Sequence, residues 1–373
     1  MPVKCQVIMD AIDKLAPRYL AEDWDNVGLL IGSPAQVVDN ILVSLDITED
    51  VIEKAVEKGV NLIISHHPLI FKPLAHLRTD NPQGRIIARL LKNDIAVFAA
   101  HTNLDTAAGG VNDILAQRLS LQGIEMLTSS FSERLVKLAV FVPKDYIEEV
   151  RNAITEAGAG YIGNYSHCTF YTEGIGTFLP LEGTSPFIGE KGKLEFVQEL
   201  RLETVFPERI SKRIIKAMLR SHPYEEVAYD VYPLHNAGKE LGLGRIGKLV
   251  STKTLEELTL EVKKILNIEW VRVVGDPGKT VNKVAVCGGS GAGLIKRAAF
   301  MGADVLITGD VKYHEAQEAL SLGVSLIDAG HFATEIPVVD SIVEHLEKSA
   351  SAGKWDIRIF ADSFSKDIFT FVK

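Results

Sequence analysis

The chain is short of cysteines, of long apolar runs and of basic charge. Its three cysteines, Cys5, Cys168 and Cys287, stand far apart in 373 residues. They form neither a disulfide framework nor the paired spacing of a zinc ribbon, and a reducing compartment, the cytosol, is expected. No apolar stretch approaches the ~18 to 20 residues of a membrane span. The opening segment, MPVKCQVIMDAIDKLAP, has no apolar signal core and reads as an amphipathic helix, so secretion is not expected. A net charge of −9 argues against broad coating by nucleic acid, leaving room only for a local basic groove. What remains is an ordinary globular composition, with 24% charged and 46% hydrophobic residues. Its length suffices for two domains or one large core.

Histidines are the informative residues. The apolar, β-branched run Val60 to Ile64 stops at His66 and His67, followed by Pro68. Such a run suits a buried strand of a parallel sheet, and the proline ends its pairing. A second run, DIAVFAA, ends in His101, with Asp105 four residues on. A third, VSLI, leads through Asp-Ala-Gly to His331, with Glu335 four residues on. In open α/β sheets, ligands gather outside the carboxyl ends of strands. The set His66, His67, Asp105, His331 and Glu335, with His101 as an additional candidate, offers nitrogen and oxygen donors and no thiolate. That suits Zn²⁺ first, and Fe²⁺ or Mn²⁺ as well, in a reactive site better than in a closed structural one. Neighbouring residues of an extended chain point to opposite sides, so His66 and His67 are expected on different ions.

Along the chain, NILVSLDI reads as a strand and Thr48 as the cap of a helix that ends on Gly59, completing a β-α-β unit with the histidine strand. Residues 84–92 read as the next helix, and Asp105 is placed in a loop before the helix that Gly109 and Gly110 open. Near Ser129 the character changes. Two segments, LVKLAVFV with the helix after Pro143 and LRLETVF with the helix after Pro207, repeat one β-α pattern. They suggest a ferredoxin-like insert. Gly174, Gly176, Gly183 and Gly189 are expected in the hairpin and loops between its halves. HPYEE (residues 222–226) is read as the link from a helix to its next strand.

Beyond the insert, Gly242, Gly244 and Gly247 match G-x-G-x-x-G, but an apolar segment follows directly where a dinucleotide site needs a helix. The turn GGSGAG lacks the Gly-Lys-Ser/Thr of a phosphate loop; an anion at the next helix start, beside Lys296, is the alternative to a plain β-α turn. Strand, helix, Gly59, strand, His66 parallels strand, helix, Gly302, strand, Asp310. The core thus reads as two related α/β lobes. Residues 1–129 form the first lobe, 130–234 the insert and 235–373 the second lobe. Thr334 is read as a helix cap. Asp310 and His314 are candidates for proton transfer.

The segments EDWDNVGLLIG, ISHHPLIFKPL, HTNLDTAAGGVND, GLGRIGKL, ITGDVKYHEAQEA and DAGHFATE resemble the GTP cyclohydrolase type-two homologues, the Nif-three-like family. The central insert resembles the PII/CutA-like module of its longer bacterial members. The resemblance implies an α/β core with a dinuclear metal centre and a ring-shaped hexamer. It also implies His66, His67, Asp105, His331 and Glu335 as ligands. Two functional classes stay open. One is a metal-dependent hydrolase of the cyclohydrolase or phosphoester type, acting on a nucleotide or related small molecule. The other is a metal-dependent ligand-binding or regulatory protein without turnover.

Overall fold

The computed structural model describes residues 3–370. The chain forms two compact units. One takes in the chain up to Phe131 and again from Leu241 onward; the other is Ser132–Glu240.

In the first unit, a five-stranded sheet runs in the order Arg358–Ala361, Asn40–Ser44, Leu62–Ser65, Ala96–Ala99, Gly28–Ile31. The first four strands are mutually parallel and Gly28–Ile31 pairs antiparallel at the edge. Every residue of Asn40–Ser44, Leu62–Ser65 and Ala96–Ala99 is buried. Helices on both faces explain these unbroken apolar runs. Alternate side chains serve opposite layers. Leu42, Ile63 and Val97 pack with Val51, Ile52, Ile87 and Leu90 of the crossover helices Glu49–Glu57 and Pro82–Lys92. Ile41, Val43, Ile64 and Phe98 pack with Ile8 and Ile12 of Cys5–Leu15 and with Val338 and Ile342 of Pro337–Gly353. Each fully buried side chain of this kind contributes about 1.5–3 kcal/mol. Thr48 and Asn81 cap the crossover helices by accepting from Val51 N and Gly84 N.

A six-stranded sheet builds the other half of this unit, in the order Arg272–Val274, Ser325–Asp328, Val305–Thr308, Thr280–Val286, Glu240–Thr254, Gln122–Ser132. Thr280–Val286, Val305–Thr308 and Ser325–Asp328 are parallel. Gly59 and Gly302 both take a positive φ just past a helix, the turn that starts each second strand. The glycines of GLGRIG lie inside the strand Glu240–Thr254, and a Cβ on Gly242 would stand 1.9 Å from Thr128 O. These glycines let two strands approach closely; they cradle no phosphate.

Three local expectations change. Asp105 lies within a short helix, Thr102–Thr106, because Asn103 Oδ1 accepts from His101 N and turns the chain at once after the strand. Thr334 is no cap: the helix begins earlier, at His331, after Gly330 at φ +87°, and a second helix opens on Pro337. In the turn after Cys287, the N–H groups of Gly288, Gly289 and Gly291 donate to Asn112, Thr334 and Thr308. Lys296 pairs with Glu318 at 3.1 Å. These three donors are spent inside the protein and are not open to an anion.

The second unit runs strand Leu135–Pro143, helix Ile147–Glu156, strands Thr169–Phe178 and Glu195–Pro207, helix Ser211–Ser221, strand Tyr229–Pro233. Its antiparallel sheet has the order Tyr229–Pro233, Leu135–Pro143, Glu195–Pro207, Thr169–Phe178. One face carries the core, with Leu138, Val140, Leu202 and Phe206 against Val150, Ile154, Ile214 and Met218 of the two helices. Gly174 and Gly176 lie in the strand Thr169–Phe178 of the hairpin with Glu195–Pro207, and Gly183 and Gly189 lie in its connecting loop.

Candidate metal centre

The site stands at the carboxyl ends of both sheets of the first unit. His66 and His67 follow Leu62–Ser65, His101 follows Ala96–Ala99, and His331 opens the helix after Ser325–Asp328. Asp105 and Glu335 sit one helical turn beyond His101 and His331, so each carboxylate returns toward its own histidine.

Each of the four imidazoles is held by its Nδ1. His66 Nδ1 donates to Ala100 O at 2.8 Å. His67 Nδ1 meets Asp46 Oδ1 at 2.8 Å, His101 Nδ1 meets Asp25 Oδ1 at 2.9 Å, and His331 Nδ1 meets Asp310 Oδ2 at 2.7 Å. A histidine held in this way presents Nε2 as its free donor, the arrangement that orients metal ligands. The Nε2 atoms converge. Glu335 Oε2 lies 3.0 Å from His67 Nε2 and 3.0 Å from His331 Nε2. Glu335 Oε1 lies 3.8 Å from His66 Nε2, and Asp105 Oδ1 lies 3.6 Å from the same atom.

His66 Nε2 is buried with no hydrogen-bond partner. Orphaned polar atoms cost about 1–3 kcal/mol each unless something satisfies them. Here the unsatisfied nitrogen faces two carboxylate oxygens, Asp105 Oδ1 and Glu335 Oε1, at distances too long for hydrogen bonds. Three overlapping groups qualify as metal donors: His66, His67 and His101; His67, His331 and Glu335; His66, Asp105 and Glu335. The residues therefore fit a metal ion.

Without a metal, protons take its place. Burial opposes charge on His67, but Asp46 and Glu335 outweigh it and raise its pKa to about 10. Glu335 and Asp310 raise His331 to about 9 against its burial. Burial also opposes a charged Glu335, yet the imidazoles around it hold the carboxyl well below the ordinary carboxylate range. Burial lifts Asp105 to about 6. Cys287, close by, is pushed up to about 12 by burial and by the Asp105 and Glu335 charges, so it remains a thiol.

Supporting residues outside the expected set complete the arrangement. Asp25 accepts from His101 and from the backbone and hydroxyl of Thr102, and these donors overcome its burial and hold it at about 2. Asp46 sits just past the strand Asn40–Ser44, so the strand-end rule that found the histidines also reaches it. Asp25, in a polar loop, gave no such signal. Asp310 stands behind His331 at φ +58°, a left-handed conformation rare for a residue with a side chain. His314 lies on the helix Tyr313–Ser321, its Nδ1 3.1 Å from Gln317 Oε1.

At the mouth, Trp24 is 59% exposed. Its ring centroid is 5.7 Å from that of Phe71 and 6.3 Å from that of His101. Asn26 donates to Ile70 O and ties the two aromatic loops together.

This cluster and fold have relatives. The sequence profile of Duf34/NIF3 (NGG1p interacting factor 3) matches residues 3–367. The chain belongs to the Duf34/NIF3 family. It is 49% identical to a GTP cyclohydrolase 1 type 2 homolog of Bacillus subtilis and 47% identical to one of Halalkalibacterium halodurans, over 99% and 98% of both chains. A Bacillus cereus protein related to NIF3, known by crystal structure, superposes with a TM-score of 0.92 at 46% identity, covering 100% of both chains. A Staphylococcus aureus protein superposes at 0.82 and 33% identity, over 100% of this chain and 99% of that one. Among the described residues of this Duf34/NIF3 chain, no helix is long and apolar enough to cross a membrane.

Proposed function

We propose that the cluster holds two divalent ions and that the protein is a metal-dependent hydrolase of a nucleotide or a related flat, oxygen-rich small molecule. Glu335 carries the two-ion reading: its Oε1 faces His66 and Asp105, and its Oε2 faces His67 and His331. In this reading His66, Asp105 and Glu335 hold one ion, His67, His331 and Glu335 the other, and His101 turns toward His66 and His67. Zn²⁺ suits the donor set best, with Fe²⁺ and Mn²⁺ also matching it. Bound there, paired ions would polarise a carbonyl or phosphoryl oxygen and lower the pKa of a water.

The chain's own residues suggest the substrate. Trp24 and Phe71 offer an exposed aromatic platform beside His101, suited to stacking a planar ring. Burial of His66 and Glu335 keeps bulk water from the cluster floor.

One observation favours a binding protein without turnover. Asp25, Asp46 and Asp310 are each committed to a histidine, and His314 to Gln317. The two candidates for proton transfer, Asp310 and His314, thus both have partners already. Metal-loaded protein incubated with a nucleotide panel and followed by mass spectrometry separates the readings. The hydrolase reading expects products that vanish in His67→Ala and Glu335→Ala; ligand retention without products would leave the binding reading.

The β-α-β-β-α-β order of the second unit supports reading it as a ferredoxin-like insert of the PII/CutA kind. The hexamer rests on the family resemblance, and light scattering of the purified protein tests it.

A further inference from the structure

The second unit contains a cavity of about 570 Å³, within the range of small-molecule sites. Its walls are the strands Thr169–Phe178 and Glu195–Pro207, the segment between them and the residues after His222. Phe178, Phe187 and Tyr224 form an aromatic group on this wall, with Phe178 and Phe187 centroids 6.0 Å and 6.3 Å from Tyr224. Phe141, Ile175 and Ile188 add apolar surface, interspersed with threonines and charged residues.

One charged group of the lining is set apart by its burial. Glu199 is 8% exposed and lines the cavity. Its Oε1 accepts from Tyr224 Oη at 2.9 Å, and no lysine or arginine pairs with it among the described residues. Burial and the Glu199 carboxylate raise the Tyr224 pKa, so its hydroxyl stays a donor. Gly176 leaves the carboxylate its room: a Cβ there would fall 2.0 Å from Glu199 Oε2. Three of the four other charges of the lining are already engaged, and the fourth, Glu226, is exposed to solvent. Glu173 pairs with Lys144, Glu225 accepts from Ser185 N, and Arg201 pairs with Glu203. Arg201 Nε–H is buried without an acceptor, a second polar point for a ligand oxygen.

A carboxylate taken out of water calls for a cation. Aromatic faces beside it attract the same charge. We infer that this cavity is a binding site for a small organic ammonium with an apolar body, its nitrogen seated on Glu199 between Phe178, Phe187 and Tyr224. The site is separate from the metal residues in sequence and makes the insert a sensor of amines. It also gives a role to the Tyr224 and Glu225 of HPYEE, which sequence reading treated only as a link.

Calorimetric titration of the full-length protein tests this with two probes of one shape: 2-phenylethylamine, protonated at neutral pH, and neutral 2-phenylethanol. The expected result is one amine per chain, bound about tenfold or more tightly than the alcohol. Glu199→Gln keeps the shape and the Tyr224 contact, and should abolish that preference. Gly176→Ala, which displaces the carboxylate, should weaken the amine as well. Equal affinity for both probes, no binding of either at millimolar concentration, or an unchanged preference in Glu199→Gln in protein of normal melting temperature would overturn the inference.

Discussion

Gly289 and Glu335 occupy what would be one another's space: a Cβ on Gly289 would stand 2.1 Å from Glu335 Oε1. The turn after Cys287 therefore needs a residue without a side chain in order to admit the carboxylate. Gly289 also sits at φ +60°, where a larger residue adds strain of about 1–3 kcal/mol. Gly289→Ala should lose most bound metal although no donor has been touched. Elemental analysis of the purified variant checks this; full metal content would show that Glu335 does not need the gap.

Asp25 and Asp46 stand behind His101 and His67 without reaching the cluster centre. Asp25→Asn and Asp46→Asn should each weaken metal binding by about 10- to 100-fold. His314→Ala, at a residue that belongs to none of the three donor groups, should leave it unchanged. Competition against a chromogenic chelator gives the three affinities directly.

Protonation provides a third test. In the metal-free protein the His67 and His331 pKa values lie at about 10 and about 9, above the ordinary value of about 6.5. A raised histidine adds stability that is complete below its unfolded pKa and disappears as pH rises through the folded one. Chelator-treated protein should therefore melt at falling temperature from about pH 6.5 to about pH 10. Metal requires the same nitrogens unprotonated, so its contribution grows over that interval and its binding releases protons. A flat melting profile for the chelated protein would contradict the proton-filled cluster.

The chain from Ser132 to Glu240 forms its own compact unit with its own core. Joining Phe131 to Leu241 through a short glycine-serine link should leave a soluble, metal-binding remainder, as both sides of the cluster lie outside the deleted stretch. Aggregation, or loss of metal from a folded remainder, would show that the insert is required.

Periodicity in the sequence made the strands around the site easy to read. Leu62–Ser65 and Ala96–Ala99 are unbroken apolar runs because helices cover both faces, and the histidines announce where the runs end. Glu335 was legible by its spacing from His331, one turn of helix. Asp25 was not: it is 76 residues from His101, and a carboxylate in the polar loop AEDWDN looks solvated until the fold closes over it. The same applies to Gly289, whose purpose depends on a helix reached only later in the chain. The strand Gln122–Ser132 also escaped, since most of its residues are exposed or half-buried and show no strict alternation. Glu199 was hidden for a related reason. Its strand alternates as a half-exposed one should, and nothing local shows that the outer face is roofed by the segment after Phe178.

The donors are divided by the order of synthesis. His66, His67, His101 and Asp105 leave the ribosome before the stretch Ser132–Glu240, and His331 and Glu335 after it. The first group has no Glu335 to join it while the whole insert is made and folds, as domains do during translation. On the proposed two-ion reading, the donor set would stay incomplete until the helix after Ser325–Asp328 has formed. Metal capture would then come late, and a protein truncated before Gly330 would lack His331 and Glu335.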